Sequence, residues 1–334
     1  MNILEKIFIT GINGFAGSHL AEHLLAESEA QIHGLVKEET NRGNISEFQD
    51  NLQLHTGNLL NRKKINAILK TVQPDRIYHL AGLANPDEAS GSPEKAYRVN
   101  VLGQLHLLET LVELQLSPRV LVVGSAAEYG RPAKKELPLS ESAPLEPVDN
   151  YGTTKSTQDL MGYQYQAAEE LEIIRVRPFN HTGPRRPAEY VCSSFARQAV
   201  LIEAGKKSPI IRTGDLQKIR DFSDVRDVVR AYRLALEQGE AGEVYNICSN
   251  EPRRILDVLE LILELSGLER EKIKIKSSKK EVTSCDEIYG SARKLMTQTG
   301  WSARIPFRRT MQDLINYWRN HQALSPSPGG RKKR

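Results

Sequence analysis

Three glycines at a spacing of three residues separate the first β-type run of the chain from its first helical segment. Ile7–Thr10 is a short β-type run, Gly11, Gly14 and Gly17 follow it, and Ser18–Ala26 has helical spacing. Glycines allow a tight turn and close approach of the backbone to a pyrophosphate, which then lies against the partly positive N-terminus of a helix. This order of strand, glycine turn and helix predicts a nucleotide-binding unit at the start of the chain.

The end of the second predicted strand indicates which nicotinamide nucleotide fits. Lys37 stands 20 residues after Gly17, where a cation suits the 2′-phosphate of NADP and an acidic residue suits the ribose of NAD. Glu38 and Glu39 follow directly, so a shift of one residue in the position that faces the ribose would reverse this inference. The alternative is that all three side chains are solvated and contact no cofactor. We favour NADP(H), with Arg42 as a second phosphate contact.

Short β-type runs alternate with helical segments over the first half of the chain. Arg119–Val123 is almost wholly apolar, as is typical of a strand buried on both faces of a parallel sheet. Alternating strands and helices with right-handed crossovers predict an α/β, Rossmann-type doubly wound sheet whose ligands lie at the carboxyl ends of the strands. The strands predicted before the second half are Ile7–Thr10, Gln31–Val36, Leu52–Thr56, Arg76–Leu80, Arg119–Val123 and Glu172–Val176.

The second half of the chain is less regular and predicts a smaller C-terminal cap that binds substrate. We assign residues 1–177, with about 224–248, to an NADP-binding Rossmann domain, and about 178–223 and 249–322 to the cap. The composition of 323–334 cannot build a packed core and predicts a disordered tail. An anion-binding arm is the alternative for its basic end.

Composition excludes several classes of protein. The net charge is +4, and no basic stripe is interleaved with aromatic residues as in single-strand nucleic-acid binders. The apolar runs fall far short of the ~20 residues of a membrane span, and no secretory signal is present. The three cysteines lack metal-ligand spacing and suit a reducing compartment. We therefore expect a cytoplasmic protein with no metal site and neither nucleic acid nor membrane as partner.

A tyrosine and a lysine four residues apart open the predicted helix Tyr151–Leu171. Tyr151 and Lys155 lie on the same helix face, and a nearby lysine cation lowers the pKa of a phenol from its usual ~10. The phenol can then exchange a proton with a sugar hydroxyl or ketone. Ser125, at the end of a predicted sheet strand, is placed to bind the same substrate oxygen, with an ordinary turn serine as the alternative.

Five motifs, in family order, resemble the extended short-chain dehydrogenase/reductase family acting on nucleotide sugars. The likeness covers about Lys6 to Arg319. Two of the motifs, around Asn180 and Arg220, are most similar to the branch that handles GDP-mannose derivatives. The five motifs are Gly11-x-x-Gly-x-x-Gly17, Ser125, Tyr151-x-x-x-Lys155, Arg177-Pro-Phe-Asn180 and Arg220-Asp-Phe-Ser-Asp-Val-Arg226-Asp.

The resemblance implies roles for the residues that touch the substrate. The catalytic trio would be Ser125 as hydroxyl donor to the sugar O4, Tyr151 as proton donor, and Lys155 as anchor of the nicotinamide ribose. Asn180 and Arg220 would hold the substrate diphosphate, because a guanidinium offers paired donors. A surface ion pair of Arg220 with a neighbouring aspartate, Asp221 or Asp224, is the alternative. The implied substrate contacts are Ser125, Ala126, Asn180 and Arg220.

The resemblance also extends the cofactor site beyond the glycine turn. His181 and Arg186 match positions that touch NADP in the dehydratase branch, although His181 suits a structural role equally well. Asn58 stands where the family usually has Asp to read the adenine, and Lys279-Lys280-Glu281 replaces a common Arg-Pro pair at the substrate nucleotide. The full predicted cofactor set is Gly11, Asn13, Gly14, Phe15, Ala16, Gly17, Lys37, Asn58, Leu59, Leu80, Ala81, Gly82, Tyr151, Lys155, His181 and Arg186.

The function that the resemblance implies is an NADPH-dependent oxidoreductase of deoxysugar biosynthesis. It would reduce the 4-keto group of GDP-4-keto-6-deoxy-D-mannose to GDP-D-rhamnose, as a homodimer through the helices Pro93–Leu114 and Tyr151–Leu171. The alternatives are a nucleotide-sugar 4-epimerase, a GDP-mannose 4,6-dehydratase and a non-catalytic NADP-responsive regulator. Dehydratases carry acidic residues where this chain has Ala126 and Ala127. Glu128 comes one residue later, and in an extended segment it would face the opposite side.

Overall fold

The computed structural model describes residues 4–37, 42–277 and 285–321, and strands and helices alternate along them. The predicted tail 323–334, together with Glu38, Glu39 and the Lys279–Glu281 segment, lies outside these residues. The strands are β1 (Lys6–Thr10), β2 (Gln31–Val36), β3 (Gln53–Thr56), β4 (Arg76–His79), β5 (Arg119–Val123), β6 (Ile173–Pro178), β7 (Asn180–Thr182), β8 (Ile210–Thr213), β9 (Ile219–Asp224), β10 (Val244–Ile247), β11 (Pro252–Arg254), β12 (Lys274–Ser277) and β13 (Glu287–Ile288).

Helices occupy the segment predicted from Ser18 to Ala26 and all but the last two residues of the one predicted from Tyr151 to Leu171. The segment predicted as one helix from Pro93 to Leu114 is instead two helices joined by a π-helical stretch, Tyr97–Leu102. The helices are α1 (Phe15–Glu27), α2 (Arg62–Val72), α3 (Pro86–Gly91), α4 (Pro93–Ala96), α5 (Gly103–Glu113), α6 (Asn150–Glu169), α7 (Val191–Glu203), α8 (Val225–Gln238), α9 (Ile255–Leu265), α10 (Arg293–Thr299) and α11 (Phe307–Asn320).

Seven strands form a parallel sheet in the order β3-β2-β1-β4-β5-β6-β10. All six residues of β6 are buried, through Pro178, so this strand continues past Arg177, where the sequence pattern predicts a break. The chain runs outward from β1 to β3 and then resumes on the other side of β1 with β4. This order confirms the predicted Rossmann-type doubly wound fold, and it opens a crevice at the carboxyl ends of β1 and β4, where such sheets bind ligands.

Helices cover both faces of this sheet because each presents an apolar stripe to it. On one face α1 packs against α8, with Leu20 and Val228 in the core. On the other face α2 packs against α5, and α5 against α6, with Leu69 and Leu107 in the core. Each Å² of apolar surface removed from water contributes about 25 cal/mol to stability, so these layers are its main source.

The chain divides into two compact units. Residues 285–304 lie in the first unit, whereas the sequence pattern places them in the cap. The physical reason is Trp301, which is buried in the core beside α8 and donates from Nε1 to the carbonyl oxygen of Asp227 at 3.0 Å. The first unit comprises Met1–His181, Ile219–Pro252 and Val282–Arg304, and the second comprises Thr182–Lys218, Arg253–Glu281 and Ile305–Arg334.

The second unit is built on the three helices α7, α9 and α11, which pack against one another, and on the parallel pair β8 and β12. Trp318 of α11 donates from Nε1 to Ser193 Oγ at 2.9 Å, and Arg319 pairs with Glu203 at 3.0 Å. Within the residues that the structure describes, no helix is both long and apolar enough to cross a membrane.

Candidate active site

A cavity of about 280 Å³ lies at the carboxyl ends of the strands on either side of the crevice. It contains nine of the predicted cofactor residues and five apolar or glycine positions that the sequence patterns did not single out. Leu35 and Val36 belong to strand β2, Gly57 and Leu60 follow β3, and Val99 lies in the π-helical stretch, so no motif marks them. The lining is Gly11, Asn13, Gly14, Leu35, Val36, Lys37, Gly57, Asn58, Leu59, Leu60, Leu80, Ala81, Gly82 and Val99.

The glycine turn forms the floor of this cavity, and its shape requires residues without a side chain. Gly11 has φ +72°, and a Cβ there would lie 2.9 Å from Ala81 Cα across the crevice. A Cβ on Gly17 would lie 2.2 Å from the carbonyl oxygen of Gly11. The turn therefore leaves bare backbone at the start of α1, which fits the predicted cradle for a pyrophosphate.

Polar residues lie at the opposite side of the cavity, after β2 and β3. Lys37 is exposed at the end of β2 and lines the cavity. Asn58 also lines it, and its Oδ1 accepts a hydrogen bond from Leu60 N at 3.0 Å. The side-chain oxygen of Asn58, which is expected to contact the adenine, therefore already accepts a hydrogen bond within its own loop. Asn44 donates to the carbonyl oxygen of Asn13 at 3.1 Å and ties the segment after Lys37 to the glycine turn.

Ser125 lies two residues after the strand β5 and caps a 3-10 turn. Its Oγ accepts from Ala127 N at 3.1 Å, while its own backbone N–H donates to Glu128 Oε1 at 2.6 Å. This reciprocal capping box fixes the side chain of Ser125. Because Oγ accepts from Ala127, its hydroxyl hydrogen is directed away from that amide.

The start of α6 packs directly against this turn. Asp149 caps the helix by accepting from Gly152 N at 2.7 Å, and a Cβ on Gly152 would lie 2.6 Å from the carbonyl oxygen of Ala127. Tyr151, beside this contact, packs against a small apolar cluster that includes Leu83. The first turn of α6 and the Ser125 turn are therefore adjacent, as the predicted trio requires.

Lys155, one helical turn after Tyr151, is buried and donates from Nζ to the carbonyl oxygen of Val123 at 2.9 Å. Burial lowers the pKa of Lys155 to about 8, and the nearby Glu128 carboxylate opposes that shift. Its Nζ also lies 3.8 Å from the position that a Cβ on Gly82 would occupy. Lys155 therefore reaches from the helix to the rim of the nucleotide cavity.

Asn100 is a site residue that the sequence patterns missed. It is fully buried in the π-helical stretch, where its Oδ1 accepts from Leu83 N at 2.7 Å and its Nδ2 donates to Thr154 Oγ1 at 2.9 Å. It thereby joins the segment after β4 to the catalytic helix. Widened helical turns of this kind are frequent at functional sites. The sequence feature that could have identified Asn100 is a polar residue on the apolar face of the predicted helix Pro93–Leu114.

Glu128 occupies a different environment from the one expected. The expectation of an extended segment is wrong, because Ala126–Tyr129 forms a 3-10 turn that folds the Glu128 side chain back onto Ser125. Its carboxylate is fully buried, and Oε2 lies 3.1 Å from Arg177 Nε. Burial and then the Asp159 carboxylate raise the pKa of Glu128, against the lowering effect of Arg177. The carboxylate is therefore engaged inside the protein and does not face solvent.

The remaining predicted contacts are distributed over both units. The His181 ring stacks on Phe15 at 5.8 Å, so it lies beside the glycine turn, and its Nδ1 is 3.0 Å from the carbonyl oxygen of Phe179. Asn180 is exposed on β7. Arg186 belongs to the second unit, where its guanidinium lies 3.5 Å from the centre of the Tyr190 ring.

Arg220, proposed to hold the substrate diphosphate, donates instead to backbone carbonyls. Its Nη2 bonds the carbonyl oxygen of Cys285 at 2.6 Å, and its Nη1 bonds those of Ile219 and Asp286 at 2.7 and 3.0 Å. The guanidinium therefore orders the segment before β13. Among the described residues, no group of three or more His, Cys, Asp and Glu side chains could hold a metal ion.

The likeness to known proteins covers nearly the whole chain. Residues 8–314 match the family model described as GDP-mannose 4,6 dehydratase. The GDP-6-deoxy-D-mannose reductase of Pseudomonas aeruginosa is 29% identical over 94% of this chain and 97% of its own. The human GDP-mannose 4,6 dehydratase is 26% identical over 92% of this chain and 90% of its own.

A solved structure agrees with these sequence matches. The structure of RMD from P. aeruginosa complexed with NADPH has a TM-score of 0.84 at 29% identity, and the match covers 95% of this chain and 99% of that one. The resemblance drawn from the five motifs is confirmed. The chain belongs to the GDP-mannose 4,6 dehydratase family.

Proposed function

We propose that the protein is an NADPH-dependent reductase that converts the 4-keto group of GDP-4-keto-6-deoxy-D-mannose to the alcohol of GDP-D-rhamnose. The observation that carries this proposal is the position of Lys155. Its ammonium borders the nucleotide cavity at Gly82, and its helix begins beside the Ser125 turn, where Gly152 lies against the carbonyl oxygen of Ala127. The proposal therefore assigns an acid and a hydroxyl donor to a place beside a nucleotide site. The name of the P. aeruginosa relative and the NADPH of the matching structure support the choice of substrate and cofactor.

The chain's own residues then have distinct roles in the reduction. Tyr151 donates the proton to the sugar O4, and Ser125 donates a hydrogen bond to the same oxygen as negative charge develops there. The nicotinamide, when bound, supplies the hydride for C4. Lys155 stabilises the phenolate that remains, because a nearby cation favours the charged form of a phenol. The ketone therefore gains one hydride at C4 and one proton at O4.

The same proposal assigns the rest of the cofactor and substrate contacts. The glycine turn, from Gly11 to Gly17, receives the pyrophosphate, and Lys37 pairs with the 2′-phosphate of NADPH. Asn180 and Arg220 contact the GDP diphosphate, Arg220 in addition to its bonds with backbone carbonyls. His181 contacts the cofactor from beside the glycine turn.

The test is direct incubation of purified protein with NADPH and GDP-4-keto-6-deoxy-D-mannose. We expect the absorbance of NADPH to fall in proportion to substrate, with GDP-D-rhamnose identified by NMR. The UDP and dTDP 4-keto-6-deoxy sugars, assayed in parallel, report the choice of nucleotide. No loss of NADPH with the GDP sugar would contradict the proposal.

We further propose that the enzyme acts as a cytoplasmic homodimer. Leu160 of α6 is 58% exposed and Tyr97 of the π-helical stretch is 39% exposed, so large apolar side chains lie on the outer surface of the helices expected to pair. The three cysteines are free thiols, which suits a reducing compartment. Light scattering after size exclusion should give twice the chain mass of 37.5 kDa. The Leu160→Glu variant should give the mass of a single chain. A monomer in the unsubstituted protein would contradict the dimer.

A further inference from the structure

We propose that Glu128 is a positioning residue that acts through Ser125, holding the Ser125 hydroxyl in the orientation from which it bonds the reacting sugar oxygen. This inference rests on the proposed function, because it assigns a role within that reaction. Its evidence is the set of contacts made by one buried carboxylate.

The contact with Ser125 is short and local. Ser125 N donates to Glu128 Oε1 at 2.6 Å, and Ser125 Oγ accepts from Ala127 N at 3.1 Å. Together these bonds fix the backbone and the side chain of Ser125 at the end of β5. Because Glu128 is 0% exposed, water cannot replace the carboxylate as acceptor. The orientation of the serine hydroxyl therefore depends on Glu128.

The other oxygen of the carboxylate forms an ion pair with Arg177, whose Nε–H is donated to Asp159. Glu128 Oε2 lies 3.1 Å from Arg177 Nε. Arg177 is itself held by Asp159 Oδ2 at 3.0 Å and by the hydroxyl of Tyr129 at 3.1 Å. The guanidinium is thus anchored to α6 through Asp159 and to the Ser125 turn through Tyr129. Glu128 connects Ser125 to this rigid buried group.

Gly124 shows how closely the carboxylate packs under the strand end. A Cβ on Gly124 would lie 2.2 Å from Glu128 Oε1. The residue before Ser125 therefore leaves space that the Glu128 carboxylate fills. If Glu128 were replaced by a side chain without an acceptor, the Ser125 N–H would be buried without a hydrogen-bond partner. Leaving a buried donor unpaired costs free energy.

Glu128→Gln is the informative substitution because it keeps the volume and removes one acceptor. The carboxylate accepts the Ser125 N–H at Oε1 and places Oε2 3.1 Å from Arg177 Nε, whereas an amide presents its NH₂ group either to the Ser125 N–H or to the Arg177 guanidinium. Both orientations place two donors together. We expect kcat to fall about 10–100-fold, as for a small misplacement of a reacting group, with KM for the sugar changed less. The dissociation constant of NADPH should stay within about twofold of that of the unsubstituted enzyme.

The chain provides a matched control in Glu136. Its carboxylate accepts from Ala133 N at 2.5 Å at the start of another 3-10 turn, but it is exposed. Glu136→Gln therefore removes the same local capping bond away from the site, and kcat should not change. Glu128→Asp serves as the second variant if Glu128→Gln fails to fold. It keeps the charge beside Arg177 but shortens the reach to Ser125 N by one methylene, and kcat should fall.

A double-mutant cycle decides whether Glu128 acts through Ser125. In a Ser125→Ala background the hydroxyl is absent, so adding Glu128→Gln should cause no further loss of kcat. Losses that multiply in the double variant would overturn the assignment. So would unchanged kcat in Glu128→Gln while the unsubstituted enzyme reduces the ketone. An unsubstituted enzyme that does not reduce the ketone would instead overturn the proposed function, and the assignment with it.

Discussion

The ammonium group of Lys155 is buried, and its burial has a measurable effect on the stability of the folded protein. Burial lowers its pKa from 10.5 to about 8 in the folded protein. Between these two values the unfolded chain holds a proton that the folded chain has released, so this contribution to stability rises with pH. Below about pH 8 Lys155 is protonated in both the folded and the unfolded protein. The folded protein then carries the full free-energy cost of burying this charge.

We therefore predict that the unsubstituted protein gains stability relative to Lys155→Met between about pH 8 and 10.5. The gain in the free energy of unfolding should be on the order of 1–3 kcal/mol. Urea unfolding of both cofactor-free proteins at pH 7.5 and pH 10 would measure it. Parallel pH dependence in the two proteins would show that Lys155 titrates normally.

Tyr151 should be required for proton transfer and dispensable for cofactor binding. We predict that Tyr151→Phe lowers kcat by about 10²–10⁴, the contribution of a positioned acid, and leaves the dissociation constant of NADPH nearly unchanged. Tyr163→Phe is the control, because Tyr163 lies on the same helix but is 53% exposed. Stopped-flow turnover and fluorescence titration separate the two effects. Normal turnover in Tyr151→Phe would require another acid.

Lys37 should determine the preference for the 2′-phosphate. A charged hydrogen bond at a partly exposed site contributes on the order of 1–3 kcal/mol, so NADPH should bind more tightly than NADH, and Lys37→Asp should narrow or invert that ratio. Lys63→Asp is the matched control, because Lys63 is exposed on α2 outside the cavity. Calorimetric titration of both nucleotides provides the comparison. Equal affinities in the unsubstituted protein would contradict this role for Lys37.

Among the elements, the junction of β1 and α1 tolerates little change. A Cβ on Gly17 would lie 2.2 Å from the carbonyl oxygen of Gly11, so the turn must open to admit it. We predict that Gly17→Ala weakens NADPH binding and lowers the free energy of unfolding by about 1–3 kcal/mol, the usual cost of overpacking.

A second helical glycine provides the control for this prediction. Gly91 ends α3, and a Cβ there would meet nothing within 4 Å. Gly91→Ala should therefore leave stability and binding unchanged or slightly improved, since alanine favours helices. Thermal unfolding with and without NADPH would measure both variants. A Gly17→Ala protein with unaltered NADPH affinity would show that the turn does not cradle the cofactor.

Elements with a regular pattern were predictable from the chain, and junctions were not. The spacing predicts β2 and β5 with the bounds that the structure shows, and β5 is the almost wholly apolar run expected of a strand buried on both faces. The short turn after Ser125 has no such period, so its 3-10 geometry and the inward path of Glu128 depend on tertiary contacts with Arg177. The place of Trp301 in the first unit likewise depends on a distant partner, Asp227.

For the site, motif spacing predicts the trio and most of the residues that line the cavity, because those residues occupy fixed offsets from strand ends. Spacing did not identify Asn100, whose role comes from a widened helical turn. Nor did it indicate that Arg220 bonds backbone carbonyls beside β13, because contacts between segments 65 and 66 residues apart leave no local pattern.

For the whole molecule, we predict that the enzyme does not eliminate water from GDP-mannose, even with NADP supplied. Elimination across C5 and C6 needs a base and an acid near the sugar. Ala126 and Ala127 offer neither, and the carboxylate of Glu128 is buried against Arg177. The human GDP-mannose 4,6 dehydratase, a relative, serves as the positive control. Appearance of the 4-keto-6-deoxy chromophore with this protein would show that it catalyses the earlier step.

The bond from Lys155 to the carbonyl of Val123 has a further consequence for how such proteins diversify. It ties α6 to the strand that leads into Ser125, and the three side chains proposed for catalysis belong to one unit of the chain. Substitutions in the other unit can then accumulate without disturbing the alignment of acid, hydroxyl and cation. A lineage can therefore vary that unit while the proposed proton-transfer chemistry is inherited intact.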